Sequence, residues 1–391
     1  MKIIKIETLH CDAGWRIWSF IKVSSDDGLV GYSECTDAYG STRGIVGVVR
    51  DLETLLIGKD PREVEKIHWD MYSATRQSPG SVVDKAIGGI ENALLDIKAK
   101  ALGISVYELF GGPVRDTIPL YWSHCGTTRV RASHLAQVPK IESLNDITSL
   151  GEEVIKRGFQ ALKTNLILFD PLPRVYMPGF GKSKGGPELN INHELIEATA
   201  QYIAIWRKAV GDNIDIILDL NFNFKTEGYI RMARALDQFN LMWLEIDSYD
   251  PRSILAIRQA VKTPIGTGET LYSTRDFRPY FEERVMDIVS IDVSWNGFLQ
   301  SKKIADMADL YEMNVAPHNH HSHLSTFMSA NFAALIPNLR IMEIDVDDVS
   351  WKDELATNTP LIENGMMALP RAPGWGTDLN EEVLKLHPWN E

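Results

Sequence analysis

The sequence predicts an α/β protein in which a barrel of parallel strands follows a smaller N-terminal α+β region. From about residue 117 onward, short β-branched or apolar segments alternate with amphipathic helical segments, which is typical of a parallel sheet. Six successive strands end in a polar side chain, at intervals of 26, 24, 23, 26 and 25 residues, namely Asp219, Glu245, Glu269, Asp292, His318 and Glu343. A closed barrel directs its strand ends to one mouth, whereas an open sheet would spread them apart, so the sequence favours the barrel.

The N-terminal part has a different pattern. MKIIKIETLH alternates apolar and polar residues like a strand, and two further strands flank Asp27-Gly28, a dipeptide suited to a tight hairpin. Residues 83–101 place apolar side chains every three or four positions, which predicts a helix that Gly103 ends. We predict three parts: an α+β domain at 1–115, a barrel domain at 116–355, and a segment at 356–391 that returns to the first domain.

The composition excludes several classes of function. The 391-residue chain has a formal charge of -13 and dispersed Lys and Arg residues, so neither nucleic acid nor a membrane is an expected partner. Its three cysteines are scattered and form no CxxC pair, which argues against a disulfide framework and a structural zinc site. The sequence has no signal-peptide pattern, no bilayer-spanning stretch and no GxGxxG or GxxxxGK motif. We expect a cytoplasmic enzyme of small molecules.

Three of the polar strand ends suit a metal ion. A lone acid at a strand end usually caps a helix or forms a salt bridge. Asp219, Glu245 and Glu269, however, lie at matched positions of three adjacent strands, and no cysteine is near them. Such a set of carboxylates suits a hard cation that prefers oxygen ligands, so we expect one Mg²⁺ per subunit.

The next two strand ends suit proton transfer. His318 titrates near neutral pH, and Asp292 on the neighbouring strand can fix its tautomer and raise its basicity. The segment 318–323 contains four histidines in six residues, which is also the composition of a transition-metal cluster. A strand end that turns into a helix is expected to point these imidazoles in different directions, so we favour the base.

Several motifs resemble the enolase superfamily, in particular its mandelate racemase-like subgroup and the acid-sugar dehydratases within it. The motifs are GIENALLDIKAKALGISVYELFGG, ALKTN, LDLN, WLEID, GTGET, IDVSWNG, APHN and MEID, and they extend over nearly the whole chain. The resemblance implies a (β/α)7β modified TIM barrel with an N-terminal α+β capping domain. It also implies metal ligands at Asp219, Glu245 and Glu269 and a His-Asp dyad at His318 and Asp292.

The resemblance assigns two further residues and has three departures. Lys163 matches the first lysine of the family's KxK pair, and Glu343 matches an acid that hydrogen-bonds the substrate carboxylate, which as a protonated group would donate that bond. The second lysine of the pair is Asn165 here, and Asn221 stands where some dehydratases carry a histidine. The family's acid directly after the second ligand is absent, and the next acid is Asp247.

These features lead to an expected reaction. With Asn165 in place of a lysine, only the His318 face has a clear base, which is enough for β-elimination but not for a two-base racemase. We expect dehydration of a sugar acid to a 2-keto-3-deoxy acid, with Lys163 as base and His318 as acid kept as a variant. The alternatives are a racemase, epimerase or cycloisomerase of a related acid, and a catalytically silent carboxylate-binding barrel. We also expect a homo-oligomer.

The substrate contacts are the least defined part of the site. Candidate substrate-binding residues are Asn165 and Asn221 in the barrel and Trp15, Arg16, Tyr39 and Arg43 in the N-terminal region. The latter four suit stacking on a polyol and hydrogen bonding to it, and they equally suit a domain interface. Residues 170–190 are rich in proline and glycine and too long for an ordinary loop, which indicates a lid over the mouth.

Overall fold

The computed structural model describes residues 1–38, 40–180 and 186–390. The chain begins with an antiparallel three-stranded sheet of β1 (Ile3–Asp12), β2 (Ile17–Ser25) and β3 (Val30–Glu34). Gly28, in the turn between β2 and β3, has a φ of +88°, which glycine adopts without strain. Three helices follow, α1 (Thr42–Leu56), α2 (Val64–Thr75) and α3 (Ser81–Leu102). The N-terminal region thus has the predicted α+β character.

Helix α3 is buried on more than the one face that its apolar periodicity predicts. It ends at Gly103, as expected, with a φ of +71°. Strand β3 approaches it so closely that a Cβ on Gly31 would lie 2.1 Å from the carbonyl oxygen of Ala93. On the side toward the barrel, the buried carboxylate of Glu91 accepts a hydrogen bond from the backbone N–H of Leu299 at 2.8 Å. Periodicity cannot reveal this burial, because the partners of such polar groups are distant in sequence.

Eight parallel strands form a closed barrel. They are β4 (Thr117–Ser123), β5 (Ala161–Asn165), β8 (Asp215–Asp219), β9 (Trp243–Glu245), β10 (Ile265–Thr267), β11 (Ile288–Asp292), β12 (Asn314–His318) and β13 (Met342–Asp345), with a hairpin of β6 (Ile167–Leu168) and β7 (Arg174–Val175) after β5. The ring closes where β13 pairs with β4, beginning with Met342 opposite Leu120. On the other side, Val315 of β12 forms a parallel bridge with Leu339, which lies just before β13.

Helices connect successive strands and surround the barrel. They are α4 (Thr127–Arg131), α5 (Ser133–Ala136), α6 (Leu144–Lys156), α7 (His193–Val210), α8 (Thr226–Leu236), α9 (Pro251–Ala260), α10 (Ser273–Glu282), α11 (Val293–Asn296), α12 (Phe298–Leu310) and α13 (His323–Leu335). The last strand is followed by a 3₁₀ turn at Lys352–Leu355. The predicted (β/α)7β barrel with an N-terminal α+β domain is therefore confirmed. No helix of the described residues combines the length and apolar character needed to cross a membrane.

The strand register brings the predicted polar residues to one level. Asn165 lies opposite Asp219, and Asp219 lies opposite Glu245, across three neighbouring strands. Asp292 lies opposite His318 in the same way. Because all these strands run parallel, their C-terminal side chains meet at the same mouth.

A layer of apolar side chains fills the barrel interior. Its members are Tyr121, Ala161, Ile217, Trp243, Ile288, Ala316 and Ile341, all buried. The rings of Tyr121 and Trp243 contact edge to face, with centroids 5.8 Å apart. The Lys163 ammonium lies 5.7 Å from the centroid of the Tyr121 ring, so this layer directly supports the polar mouth.

The N-terminal sheet holds the start of α13. Glu34, at the end of β3, is buried, and its carboxylate accepts hydrogen bonds from the backbone N–H groups of Ser322 and Ser325 at 3.2 and 3.3 Å. This arrangement satisfies the N-terminus of α13 with an anionic side chain from a distant part of the chain. Arg16, between β1 and β2, donates a hydrogen bond to the backbone carbonyl of His320. The loop between β12 and α13 is therefore fixed by the N-terminal region.

The C-terminal segment contacts both major parts of the molecule. It contains β14 (Ile362–Glu363), β15 (Met366–Ala368) and α14 (Glu381–Leu386). Strand β15 pairs antiparallel with β4 of the barrel. The Glu381 carboxylate accepts hydrogen bonds from Lys22 at 2.5 Å and from the Tyr32 hydroxyl at 2.6 Å, both in the N-terminal sheet. The domain boundaries near residues 115 and 355 stay predictions.

Candidate active site at the barrel mouth

A cavity of about 270 Å³ lies between the barrel mouth and the N-terminal region. The predicted site residues that line it are Trp15, Arg16, Lys163, Asn165, Asp219, Asn221, Glu269 and His318. Its volume lies just under the range of roughly 300–1,000 Å³ for small-molecule sites. The cavity therefore suits a small acid better than a nucleotide cofactor.

Asp219 is buried at the end of β8 among amide groups. Its Oδ2 accepts hydrogen bonds from the side-chain amides of Asn165 at 3.0 Å and Asn221 at 2.8 Å, and its Oδ1 accepts from the backbone N–H of Asn221 at 2.8 Å. Burial and the nearby Glu245 carboxylate raise the pKa of Asp219 to about 6. The two asparagines that depart from the family pattern thus orient the carboxylate of Asp219.

Glu245 and Glu269 complete the predicted set of carboxylates. Glu245 accepts a hydrogen bond from the Lys163 ammonium at 2.8 Å and another from the Trp243 indole at 3.1 Å. Glu269 lies two residues beyond β10, with its Oε2 3.5 Å from Nε2 of His318. Burial and the neighbouring carboxylates raise the pKa of Glu269 well above its usual value. The carboxyl groups of the mouth therefore lie close enough to disfavour one another's ionisation in the absence of a cation.

Asp247 is a further acid of the mouth that we did not assign to the site from the sequence. It is 2% exposed, and neither oxygen of its carboxylate has a hydrogen-bond partner among the described residues. Burial and the charges of Asp219 and Glu245 raise its pKa well above the usual value. A buried carboxylate without partners is unusual in a folded protein, and a bound cation would satisfy it. The all-oxygen donor set around it fits a hard divalent ion such as Mg²⁺.

Lys163 and Glu343 form a buried ion pair beside these carboxylates. The Lys163 ammonium lies 2.8 Å from both Glu245 and Glu343. Glu343 also accepts hydrogen bonds from the Ser123 hydroxyl and, at 2.8 Å, from the backbone N–H of Asn319. Burial opposes both charges, but the pKa of Lys163 is nevertheless raised by its carboxylate partners and that of Glu343 is lowered by the ammonium.

The structure corrects the expected position of Glu343. The residue lies inside β13, whose last residue is Asp345, and not at the strand end. Its contacts with Lys163, Ser123 and Asn319 favour a carboxylate that accepts hydrogen bonds over a protonated acid. The sequence could not indicate this pairing, since the partner lysine lies 180 positions earlier in the chain.

His318 and Asp292 are in direct contact. Nδ1 of His318 lies 2.7 Å from Oδ2 of Asp292, and Nε2 of His321 lies 2.9 Å from the same oxygen. The other oxygen of Asp292 accepts a hydrogen bond from the backbone N–H of Trp295 at 2.9 Å. Burial opposes ionisation of both members, but His321 and His318 lower the pKa of Asp292, and Asp292 and Glu343 raise the pKa of His318. His318 lines the cavity, and its Nε2 is the ring nitrogen that does not contact Asp292.

Three of the four clustered histidines converge, contrary to expectation. Nδ1 of His320 lies 3.0 Å from Nε2 of His318, and the potential ligand atoms of His318, His320 and His321 all lie within 4.8 Å of one another. Of the four histidines, only His323 points away from the others, and its Nε2 lies 2.7 Å from Asp353. The turn between β12 and α13 folds the first three imidazoles together before the helix begins. Burial and the surrounding imidazoles and Arg16 lower the pKa of His320 well below its usual value.

His124 also lines the cavity and was not anticipated. It follows β4, and its Nδ1 lies 2.7 Å from Asp345, which ends β13 on the neighbouring strand. His124 extends the pattern of polar residues at strand ends to the first strand of the barrel. A search for a polar residue at the end of the strand in YWSHCG would therefore have identified His124 from the sequence.

The predicted contacts from the N-terminal region have different outcomes. Trp15 and Arg16 line the cavity, and Arg16 is held by Asp348 at 3.1 Å. Arg43 is a correction, because its side chain is exposed, lies over the Trp389 ring at 5.7 Å and is not part of the cavity lining. Tyr39 lies outside the described residues.

The predicted lid is described in part. Residues Met177 and Phe180 line the cavity, and β7 pairs with β6 at the base of this loop. Residues 181–185, in the middle of the predicted lid, lie outside the described part of the chain. The described portion thus covers one side of the cavity.

Comparison with known proteins places this site in a family. Residues 147–383 match the family model "Enolase C-terminal domain-like", and residues 14–111 match "Mandelate racemase / muconate lactonizing enzyme, N-terminal domain". Similar proteins include the D-xylonate dehydratase of Haloferax volcanii, 28% identical over 99% of this chain and 89% of its own length. The D-gluconate dehydratase of Thermoproteus tenax is 26% identical over 96% of this chain and 70% of its own length.

A solved structure has the same fold at higher identity. It is a protein of Burkholderia xenovorans strain LB400, named as a candidate L-alanine-DL-glutamate epimerase and bound to magnesium and fumarate. It shares 42% of its sequence with this chain, covers 99% of this chain and 96% of its own, and superimposes with a TM-score of 0.96. Both family models and this structural match extend over the barrel and the N-terminal region. The chain belongs to the enolase superfamily, in its mandelate racemase-like subgroup.

Proposed function

We propose that the protein is a Mg²⁺-dependent dehydratase that converts a sugar acid to a 2-keto-3-deoxy acid. The observation that carries this proposal is the pairing of His318 with Asp292 beside the carboxylates, with Asn165 in the place of a second acid-base lysine. The sugar-acid dehydratases among the relatives support the same reaction class. The small cavity, whose lining contains several charged side chains, is consistent with such a substrate.

Asp219, Glu245 and Glu269 would hold the cation, and the partnerless carboxylate of Asp247 lies beside them. When bound, Mg²⁺ neutralises the charge that develops on the carboxylate of an acid whose α-proton is removed. The solved Burkholderia structure, which contains magnesium, supports this choice of ion. Asn165 and Asn221 hold Asp219 in a fixed orientation, so the donor set is organised before substrate arrives.

His318 is the base in this proposal. Asp292 fixes Nδ1 of His318 as a hydrogen-bond donor, so the lone pair lies on Nε2. Nδ1 of His320, 3.0 Å from this Nε2, must give way when the nitrogen accepts the proton of the substrate. Lys163 is paired with two carboxylates at 2.8 Å and stays an ammonium, which is a poor proton acceptor. Lys163 instead contributes positive charge near the substrate carboxylate, whereas Glu343 holds that ammonium in place.

The reaction balances with one base. The proton on C2 passes to Nε2 of His318, the C3–O bond breaks, and the imidazolium returns that proton to the departing hydroxyl, which leaves as water. The resulting enol loses its hydroxyl proton and gains one at C3, which gives the 2-keto-3-deoxy acid. Asn165 cannot supply a second base, because an amide does not accept a proton at neutral pH; its side chain instead contacts Asp219 at 3.0 Å and the Thr127 hydroxyl at 2.9 Å.

Epimerisation is the second candidate, and the name of the Burkholderia relative favours it. Epimerisation through the same intermediate exchanges the α-proton without loss of water. It requires a group on the opposite face of the substrate that can return the proton. A catalytically silent carboxylate-binding barrel would neither exchange the α-proton nor eliminate water.

The test is an assay of the magnesium-loaded protein against a panel of sugar acids in deuterated water. We expect a keto acid from at least one of them and no dehydration by His318→Asn, whose amide cannot accept a proton at neutral pH. Exchange of the α-proton without keto acid would identify an epimerase. Exchange that persists in His318→Asn but disappears in Lys163→Met would make Lys163 the base. Binding without either reaction would favour the silent barrel.

A further inference from the structure

We propose that Arg131 forms a subsite for a second carboxylate, so that the substrate is a dicarboxylic sugar acid. This inference rests on the proposed function, because it concerns the far end of the same substrate. No motif in the sequence distinguishes Arg131, which lies at the end of α4 and lines the cavity.

The charges of the cavity lining carry the inference. Four of its described residues have a permanent positive charge, namely Arg16, Lys85, Arg131 and Lys163. Three of them are neutralised inside the protein: Arg16 lies 3.1 Å from Asp348, Lys85 lies 2.6 Å from Asp37, and Lys163 lies 2.8 Å from both Glu245 and Glu343. Arg131 has no carboxylate within 4.0 Å among the described residues.

The contact that Arg131 does make leaves most of its donors available. Its Nη2 lies 2.8 Å from the sulfur of Met177, and a thioether is a weak acceptor. A guanidinium has five N–H donors arranged in a planar fork that matches a carboxylate in bidentate fashion. The side chain is only partly exposed, so a ligand carboxylate would meet it with less competition from water. A lone hydroxyl would use one donor and leave the charge uncompensated.

Arg131 and the proposed metal ligands lie at different strands around the barrel mouth. Helix α4 follows the first barrel strand, whereas Asp219 ends the third, Glu245 ends the fourth and Glu269 follows the fifth, two to four places away around a ring of eight. Asp219, Glu269 and Arg131 line the same cavity, so an acid with one carboxylate at the metal ligands can extend toward Arg131. His124 and His320 also line the cavity and can hydrogen-bond the hydroxyl groups of the chain.

The experiment compares paired substrates that differ only at the terminal carbon. Galactarate is assayed against galactonate, and glucarate against gluconate, with the magnesium-loaded wild type, Arg131→Gln and Arg131→Lys. We expect the wild type to have a higher kcat/KM for the diacid of a reactive pair. Arg131→Gln should lower that value by on the order of 10²-fold, mainly through KM, and should change the monoacid by less than about threefold. Arg131→Lys should recover part of the loss, because it keeps the charge without the fork.

Arg43→Gln is the matched control, because Arg43 is exposed and outside the cavity lining. Equal kcat/KM for diacid and monoacid in the wild type, or equal losses of both in Arg131→Gln, would overturn the subsite while leaving the dehydratase proposal intact.

The subsite can still be tested if the proposed dehydratase function is wrong. If no acid reacts, calorimetry on the magnesium-loaded protein compares unbranched diacids of four to six carbons with monoacids of the same length. Tighter binding of a diacid that Arg131→Gln removes would support the subsite without the dehydratase. Indistinguishable binding of both series would refute it.

Discussion

Replacement of Asp292 by asparagine tests the proposed base without removing it. Oδ1 of Asp292 accepts a hydrogen bond from the Trp295 backbone N–H at 2.9 Å, whereas Oδ2 contacts His318 at 2.7 Å and His321 at 2.9 Å. In Asp292→Asn the amide oxygen is expected to keep the bond to Trp295. The amide nitrogen then faces both imidazoles and can only donate.

This change reverses the tautomer of His318. Nδ1 becomes the acceptor, the proton moves to Nε2, and Nε2 can no longer receive a proton from the substrate. A comparable change in a catalytic triad costs about 10⁴-fold in kcat, so we expect a loss of about 10²–10⁴-fold in turnover. That range corresponds to about 3–5 kcal/mol of transition-state stabilisation. The limb of the pH profile assigned to His318 should also move to lower pH, because the anion that raises its pKa is absent.

The assay measures kcat, exchange of the α-proton in deuterated water, and Mg²⁺ affinity by calorimetry. Asp353→Asn is the matched control, because it makes the same change in another His-Asp pair, with His323 at 2.7 Å and outside the cavity lining. We expect the control to keep wild-type turnover and both variants to keep the metal. Turnover of Asp292→Asn within about threefold of wild type would refute the role of the dyad.

Three further predictions concern the metal site. Chelation should abolish activity and added Mg²⁺ should restore it, and full activity in excess chelator would contradict the proposed cofactor. Mg²⁺ affinity should fall by about tenfold or more per pH unit below pH 6, because Asp219, with a pKa of about 6, and Glu269, whose pKa is also raised, must lose their protons to bind the ion. A flat affinity in calorimetry at pH 5 and 7.5 would contradict this prediction. Glu245→Gln should weaken Mg²⁺ binding by at least about tenfold and leave the circular dichroism spectrum unchanged, whereas an unfolded variant would indicate a structural role.

The sequence was informative where a regular repeat governs the structure. Asp219, Glu245, Asp292 and His318 each end a barrel strand, and the near-even spacing of strand and helix made their convergence predictable. The reason is physical, because parallel strands in register place equivalent positions at one level. The same rule extends to His124 at the end of the first strand.

The parts that the sequence did not reveal depend on loops and distant partners. Asp247 and Arg131 lie beyond strand ends, where no periodicity fixes the direction of a side chain. The convergence of His320 and His321 with His318 depends on the turn before α13, and residue spacing alone predicted the opposite. The prediction that Arg43 contacts the substrate was wrong. It was based on the position of Arg43 in the sequence, which does not show which face of α1 meets the barrel.

The link between Glu34 and the start of α13 has a consequence for protein engineering. Glu34 and Arg16 belong to the N-terminal region, yet they fix the loop that follows His318. A chimera that takes its first 115 residues from a relative would therefore exchange two anchors of the proposed base together with the substrate-facing surface. Transplants intended to alter selectivity should keep a carboxylate at position 34 and a guanidinium at position 16. A chimera without them is expected to lose turnover even for substrates that its new surface recognises.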